Sequence, residues 1–258
     1  MDRWAVVTGA SGGIGLEIAR ELARRGYALA LSARSRDALE ALAADLRTAH
    51  EVRCVVCALD LGAPGGADAL ARALHEASVV PEVLVNNAGI GVYGPFAEAD
   101  ADRVQAMLEL NMVALTRLTR QLLPGMLGLG RARILNVAST AAFQPGPGMA
   151  AYFASKAYVL SLSEALDAEL RRRGVTVTAL CPGPTRTGFV ARAAAERAAM
   201  LRGGLADARG VARAGVAGML RGRRVVIAGW GNRMMVRAGR WAPRRLVTWI
   251  AGRMTREV

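Results

Sequence analysis

One pair of side chains in the sequence has the types and spacing needed for proton transfer. Tyr152 and Lys156 lie four positions apart, so on a helix the phenol and the ammonium share one face. A nearby cation favours the phenolate and lowers the pKa of a tyrosine from its usual value of about 10, which suits a general acid–base. Lys156 is the only lysine among 34 basic residues, and a structural ion pair would accept arginine equally well. The pair is therefore predicted to be catalytic.

A glycine-rich segment follows the first predicted strand. Gly9, Gly12, Gly13 and Gly15 lie between a strand at residues 5–8 and a predicted helix at residues 14–25. Glycines let the backbone approach a pyrophosphate closely, and the helix N-terminus offers unpaired N–H groups to it. Glycines also serve simple turns, but the strand–turn–helix context favours a dinucleotide site.

The end of the second predicted strand indicates which dinucleotide is bound. An NAD site usually places an acid here to bind the ribose 2′-hydroxyl, whereas this chain has Arg34 and no carboxylate from Leu31 to Arg36. The planar guanidinium can pair with a 2′-phosphate. We expect NADP (NADPH), with NAD as the alternative; Arg34 could also be a solvated loop residue.

Strand-length apolar runs alternate with helical stretches along the chain, which predicts a parallel sheet with helices on both faces. The expected fold is α/β and doubly wound, a Rossmann-like, seven-stranded parallel sheet in a single domain, residues 1–229, followed by a C-terminal extension, residues 230–258. The predicted strands are 5–8, 28–32, 52–58, 83–86, 134–138, 175–181 and 225–228, and the predicted helices are 14–25, 36–49, 67–77, 101–127, 152–173, 189–203 and 207–220.

Composition excludes several classes of protein. With 53% hydrophobic residues in 258, the chain can bury a sizeable core and is neither disordered nor a small disulfide scaffold. No apolar run approaches the roughly 20 residues that cross a bilayer, and no secretory leader is recognised, so we expect a cytoplasmic protein. Cys54 and Cys57 share one predicted strand on opposite faces. We expect them and Cys181 to be packing residues, and we expect no metal site.

Further motifs, in order along the chain, resemble those of the short-chain dehydrogenase/reductase family, in the branch with a Tyr-x-x-x-Lys catalytic pair. The resemblance covers roughly residues 5–188 and the strand near 226. The matching segments are Thr8 to Gly15, Asn86-Asn87-Ala88-Gly89, Asn111, Ser139 thirteen residues before Tyr152, the Tyr152–Lys156 pair, and Pro182-Gly183 followed by Thr185 and Thr187.

The resemblance implies an oxidoreductase that reduces a carbonyl to an alcohol, or the reverse, by hydride transfer. Ser139 would bind the substrate oxygen, Tyr152 would exchange its proton, Lys156 would lower the tyrosine pKa and bind ribose, and Asn111 would hold a relay water. The implied cofactor-binding residues are Gly9, Ser11, Gly12, Gly13, Ile14, Gly15, Arg34, Asp60, Leu61, Asn87, Ala88, Gly89, Tyr152, Lys156, Pro182, Gly183, Thr185 and Thr187. A non-catalytic NADP-binding sensor or scaffold, attached to a membrane surface or not, is the alternative function.

The substrate region is predicted from the same resemblance. Residues 185–206 would form a lid, and Gln144 and Met149, together with Ser139 and Tyr152, would contact the substrate. These segments are mostly apolar, which favours a hydrophobic ketone or aldehyde, although ordinary packing would also explain an apolar lid.

Positive charge is concentrated in the last quarter of the chain. Residues 191–258 carry fifteen arginines and three acids, a net charge of +12, which reflects either an arginine-rich coding bias or attraction to an anionic partner. Leu246, Val247, Ile250 and Met254 are predicted to share one face of a basic amphipathic helix. This helix would touch a membrane peripherally, cap the lid or pack on a second subunit. No nucleic-acid motif is present, and family resemblance implies a homodimer or homotetramer.

Overall fold

The computed structural model describes residues 2–189 and 204–255. Its seven strands form one parallel sheet in the order β3-β2-β1-β4-β5-β6-β7, which confirms the predicted fold class. The strands are β1 (Trp4–Thr8), β2 (Ala28–Ala33), β3 (Cys54–Ala58), β4 (Pro81–Asn86), β5 (Ala132–Val137), β6 (Val175–Cys181) and β7 (Val225–Ile227).

Helices cover both faces of the sheet. Glycines in the left-handed conformation follow two of the helical segments where the sequence predicts their ends, at Gly26 (φ 76°) and Gly174 (φ 83°). The helices are α1 (Gly13–Ala23), α2 (Arg36–His50), α3 (Gly66–Glu76), α4 (Ala101–Leu108), α5 (Leu115–Gly128), α6 (Ala150–Leu170), α7 (Ala208–Leu220), α8 (Trp230–Trp241) and α9 (Arg244–Met254).

The core has two layers because successive strand side chains point to opposite faces. In β1, Val6 packs with the cluster under α3 and α5, whereas Val7 packs with the cluster under α1, α2 and α7. Both valines are fully buried. Continuous burial along a strand requires the apolar runs found in the sequence, which is why those runs located the strands correctly.

The predicted continuous helix at 101–127 is wrong in one detail. α4 and α5 are joined by a π-helical segment, Glu109–Ala114, that contains Asn111. A π-helical turn inserts a residue into the helical repeat and is often found at functional sites. The sequence pattern of 3.6-residue periodicity does not reveal this insertion.

The C-terminal region differs from the prediction in two respects. It forms two consecutive helices, α8 and α9, separated at Ala242 and Pro243. The helix that carries Leu246, Val247, Ile250 and Met254 forms as predicted, but its apolar face is only partly covered, because Leu246 and Ile250 are exposed while Val247 and Met254 are half-buried. The predicted helix at 189–203 lies outside the described residues, except for Phe189.

Two negative findings apply to residues 2–189 and 204–255. None of the helices there is both long enough and apolar enough to cross a bilayer. Within the same ranges, no three His, Cys, Asp or Glu side chains come together as metal ligands. The three cysteines are free thiols, with Cys57 and Cys181 buried and Cys54 only half-buried.

Candidate active site

A crevice opens at the carboxyl ends of the strands, where the chain reverses its direction of winding. β2 lies on one side of β1 and β4 on the other, and ligands of such sheets bind at this switch point. The cavity there has a volume of about 990 Å³. All of the predicted site residues line it except Gly15 and Asn111, which lie behind its wall.

The glycine-rich loop forms one end of this cavity. Gly9 (φ 66°) and Gly13 (φ 59°) adopt the left-handed conformation that side chains disfavour. A Cβ atom at Gly13 would lie 2.9 Å from Cγ2 of Thr187, whereas one at Gly12 would meet no atom within 4 Å. No acidic residue occupies the first turn of α1, so its positive dipole end faces the cavity unopposed. This cradle fits a pyrophosphate.

Gly15 has a packing role within the same loop. A Cβ atom at this position would lie 2.4 Å from the carbonyl oxygen of Gly9 and 2.3 Å from Nδ2 of Asn87. Only glycine therefore allows α1 to approach the loop this closely, and Gly15 shapes the cradle without lining it.

Hydrogen bonds join the segment after β4 to the end of β1. The Thr8 hydroxyl accepts from the amides of Asn87 (3.0 Å) and Ala88 (3.1 Å). The Asn87 side chain donates to the carbonyls of Thr8 (2.9 Å) and Gly9 (3.2 Å). These bonds hold Asn87, Ala88 and Gly89 along the middle of the cavity.

Arg34 follows the last residue of β2, is exposed to solvent and lines the cavity. The neighbouring Ser35 accepts a hydrogen bond from the amide of Ala38 and caps α2. Asp60 also lines the cavity, and its carboxylate accepts from the amide of Gly62 at 3.0 Å. Among the described residues that line the cavity, Arg34, Asp60 and Lys156 are the charged ones.

Ser139, Tyr152 and Lys156 come together beside the middle of the cavity. Ser139 follows β5, and its hydroxyl accepts from the amide of Ala141 at 3.1 Å. Tyr152 and Lys156 project from the first two turns of α6, and the Tyr152 hydroxyl is hydrogen-bonded with Ser139. The Lys156 ammonium donates to the carbonyl of Val137 at 3.0 Å and lies 5.8 Å from the centre of the tyrosine ring.

Burial shifts the pKa values of both side chains, and for Tyr152 the direction is opposite to the sequence expectation. Burial raises the pKa of Tyr152 to about 12, although the bond to Ser139 acts in the opposite direction. Burial lowers the pKa of Lys156 to about 8. The cost of removing each charge from water exceeds any stabilisation between the two side chains, so the phenol is neutral in this state.

Asn111 lies one layer behind the cavity and is almost fully buried. Its side-chain amide accepts from the amide of Ile90 and donates to the carbonyl of Ile90, both at 3.0 Å, and also donates to the Ser155 hydroxyl at 3.2 Å. A Cβ atom at Gly89 would lie 3.0 Å from its Oδ1 and 3.5 Å from the Lys156 ammonium nitrogen. Asn111 therefore braces the strand-four loop next to the lysine.

Sequence reasoning located only part of the apolar end of the cavity, with Phe189 inside the predicted lid and a cap by the C-terminal helix as one of the alternatives. Besides Gln144 and Met149, this end is lined by Phe153, Phe189 and residues of the two C-terminal helices, which are Asn232, Met235, Ala251, Met254 and Thr255. Of the predicted lid, residues 185–189 and 204–206 are described, and Thr185 pairs with Ala206. The remainder, residues 190–203, lies outside the described part of the chain.

The end of α9 is anchored over this apolar end. The Tyr93 hydroxyl donates to the carbonyl of Thr255, and the Thr255 hydroxyl donates to the carbonyl of Pro147. Thr255 is buried as a result. No sequence motif marks these contacts, because they join segments that are distant in the chain.

Comparison with known proteins places this site in context. Residues 3–198 match the family model described as short chain dehydrogenase. A very-long-chain 3-oxoacyl-CoA reductase from Anas platyrhynchos is 38% identical over 186 residues, which are 70% of this chain and 59% of that protein. The chain thus spans less than two thirds of the length of this relative.

Solved structures resemble the whole fold. A short-chain dehydrogenase from Sphingobium yanoikuyae in complex with NADPH is 34% identical with a TM-score of 0.83, covering 92% of this chain and 93% of that one. A short-chain dehydrogenase/reductase from Burkholderia phymatum in complex with NAD is 28% identical with a TM-score of 0.82, covering 92% of both chains.

Proposed function

Because the chain belongs to the short-chain dehydrogenase family, we propose that it is an oxidoreductase that interconverts a carbonyl group and an alcohol, with NADPH as the cofactor. The observation that carries this proposal is the convergence of Ser139, Tyr152 and Lys156 in the same cavity as the glycine cradle. A binding protein would need the cradle but not the serine–tyrosine–lysine cluster.

The cofactor would lie along the crevice from Arg34 to Tyr152. Gly9 to Gly13 would receive the pyrophosphate, and Arg34 would pair with the 2′-phosphate that distinguishes NADP from NAD. NAD is the alternative, as in the Burkholderia phymatum structure. Ser11 and Ile14 would also contact the phosphates, and Tyr152 and Lys156 would bind the nicotinamide ribose. The adenosine would contact Asp60, Leu61, Asn87, Ala88 and Gly89. The nicotinamide end would contact Pro182, Gly183, Thr185 and Thr187.

The cofactor supplies the hydride when bound, and the side chains of the chain supply the proton and the orientation. Ser139 holds the substrate oxygen by a hydrogen bond. Tyr152, protonated at rest because burial raises its pKa to about 12, gives its hydroxyl proton to the oxygen as negative charge develops there. The Lys156 ammonium then stabilises the phenolate that remains. In the oxidative direction the phenolate accepts the proton.

Asn111 is a positioning residue in this scheme. Its bonds to both backbone atoms of Ile90 fix the segment that carries Gly89 beside Lys156. A relay water held by Asn111 would connect the lysine to solvent and return the proton to Tyr152.

The substrate would be a hydrophobic ketone or aldehyde. The end of the cavity beyond Tyr152 is lined by Met149, Phe153, Phe189, Met235 and Met254. Within the described residues, this end offers no charged side chain to pair with a charged substrate, and burial of apolar surface would supply most of the binding free energy.

The assembly would be a homodimer or homotetramer that pairs through α4–α6. The outward side of α6 exposes small residues, Ala154, Ala157, Ser161 and Ala165, over about three turns, which would allow a second copy to approach closely. Light scattering on the purified protein tests this. The free thiols fit a reducing compartment such as the cytoplasm.

The proposal is tested with a panel of apolar ketones and aldehydes and with NADPH or NADH, by following the absorbance of the reduced cofactor. We expect turnover with NADPH and a loss of about 100-fold or more in kcat for Ser139→Ala, because a group that orients the reacting oxygen is removed. Ser139→Ala should still bind NADPH. Tight NADPH binding by the wild type without turnover of any carbonyl would instead favour the sensor.

A further inference from the structure

The two C-terminal helices present different chemistry on their two faces. Their inner faces close the apolar end of the cavity through Asn232 and Met235 of α8 and through Ala251 and Met254 of α9. Their other faces look away from the same cavity, and these outward faces carry large apolar side chains.

The outward face of α8 is a stripe at helical spacing. Trp230, Met234, Arg237 and Trp241 recur at i, i+4, i+7 and i+11, so they lie on one side of the helix. Trp230 and Trp241 are 72% and 92% exposed, and Met234 is also exposed. Two indoles left this open on one helix have no packing role within the described part of the chain.

The outward face of α9 repeats this combination. Leu246, Trp249 and Ile250 are all exposed, and the guanidinium of Arg253 lies 4.0 Å above the ring of Trp249. This cation–π contact keeps the aromatic ring and the positive charge side by side at the surface.

The positive charge of this region indicates which kind of partner would cover its exposed apolar side chains. Residues 208–255 contain eleven arginines and no acidic residue. A two-fold interface between copies brings the same surface of each together, so it would oppose arginines to arginines. Single-stranded nucleic acid would pair with the charge and stack on the indoles, but it offers nothing for Leu246 and Ile250. An anionic lipid surface satisfies both the charge and the aliphatic side chains.

We propose that the outward faces of α8 and α9 dock the protein on an anionic lipid surface. The indoles and aliphatic side chains enter the boundary between headgroups and acyl chains, where aromatic rings with a polar edge are favoured. The arginines interleaved with them pair with lipid phosphates.

Docking on lipid would also affect access of the substrate to the cavity, an inference that rests on the proposed function. The helices that touch the lipid by one face form the apolar end of the cavity by the other. Docking therefore brings the apolar end of the cavity to within about one helix diameter, roughly 10 Å, of the lipid, where an apolar ketone or aldehyde is concentrated, and its turnover rises when vesicles are present.

The docking is measured by flotation of the full-length protein with vesicles of phosphatidylcholine alone and of an equimolar mixture with phosphatidylglycerol. We expect binding to the mixture, weakened by high sodium chloride because salt screens the arginines. The double variant Trp241→Ser with Trp249→Ser should bind about 10-fold or more weakly, since two large apolar groups no longer enter the lipid. Phe96→Ser removes an aromatic ring that is 68% exposed elsewhere and should bind like the wild type.

The contribution of the arginines to lipid binding is tested with a second pair of double variants, one on the proposed docking surface and one away from it. Arg237→Gln with Arg245→Gln should weaken binding about 10-fold or more, because each cation near an anionic surface contributes a factor of roughly five. Arg72→Gln with Arg120→Gln removes two exposed charges from α3 and α5 and should have no effect beyond about two-fold.

Four outcomes overturn the docking proposal. The first two are equal flotation of the tryptophan double variant and the wild type, and equal flotation of the wild type with both vesicle types. The third is that single-stranded DNA releases the protein from the vesicles at a lower concentration than added anionic lipid does. The fourth is that the wild type is an oligomer and the tryptophan double variant is not. Turnover of a water-soluble ketone without vesicles is measured in parallel. Failed docking with intact turnover refutes only the docking, and intact docking without turnover refutes only the proposed function.

Discussion

Replacing Lys156 by methionine should stabilise the folded protein near neutral pH. Burial lowers the pKa of Lys156 from 10.5 to about 8, so the folded state holds the ammonium at a cost of about 3 kcal/mol relative to the neutral amine. Methionine removes that cost but leaves the carbonyl of Val137 without its donor, which costs about 1–3 kcal/mol. We expect Lys156→Met to raise the free energy of unfolding by up to about 2 kcal/mol at about pH 7.

The same reasoning predicts that this advantage disappears as the pH rises. Below the folded-state pKa of about 8, Lys156 is protonated in both the folded and the unfolded state. Between that value and 10.5 the unfolded chain still binds the proton while the folded protein has released it, so the wild type gains stability with pH. The gain from pH 7 to about pH 10 is roughly 2–3 kcal/mol, which makes the wild type more stable than Lys156→Met at the upper pH.

Urea denaturation of nucleotide-free protein at these two pH values measures the effect. Lys156→Arg is the control, because arginine keeps its charge at both pH values. The difference in unfolding free energy between Lys156→Arg and Lys156→Met should therefore be the same at both pH values. A difference between wild type and Lys156→Met that does not change with pH would refute the claim that a desolvated ammonium lies beside Tyr152.

Three further predictions follow from contacts at the cavity. Arg34→Asp should weaken NADPH binding about 10- to 100-fold, with NADH affected much less, because a carboxylate replaces a charge-assisted partner of the 2′-phosphate; nucleotide titration measures both, and an unchanged ratio contradicts it. Gly15→Ala should lower the free energy of unfolding by about 1–3 kcal/mol through overpacking, whereas Gly12→Ala, with open space around it, should not; equal effects in urea denaturation would contradict this. Removing the anchors of α9 by Tyr93→Phe or Thr255→Ala should raise the KM for bulky apolar ketones more than it lowers kcat, and steady-state kinetics that show the reverse would contradict this.

The sequence allowed the sheet and the cofactor cradle to be predicted because both depend on local patterns. Buried parallel strands need continuous apolar runs, and the cradle needs glycine where φ is positive, as at Gly9 and Gly13. The Tyr152–Lys156 pair was likewise visible from its spacing and from Lys156 being the only lysine in the sequence. Ser139 and Asn111, however, were identified from family resemblance, since neither residue type nor local spacing distinguishes them.

The features that could not be predicted depend on tertiary contacts. The π-helical segment contains Asn111, whose side chain bonds to Ile90, 21 positions away, and no periodicity signals either feature. The wall formed by Met235 and Met254 depends on how α8 and α9 lie over the cavity. The predicted lowering of the Tyr152 pKa was wrong because spacing indicates proximity but not burial, and burial dominates the shift.

Hydride delivery by the bound cofactor is measured in a single turnover with an apolar ketone and NADPH that carries deuterium at both positions of carbon 4. The proposed mechanism predicts that the wild type yields an alcohol carrying the label on its carbinol carbon. It also predicts that Tyr152→Phe binds NADPH no more than about 10-fold more weakly than the wild type, since one hydrogen bond to the ribose is lost, but transfers the label about 100-fold or more slowly, because the proton donor is lost. Label transfer by Tyr152→Phe at the wild-type rate, or an unlabelled alcohol from the wild type, would contradict it.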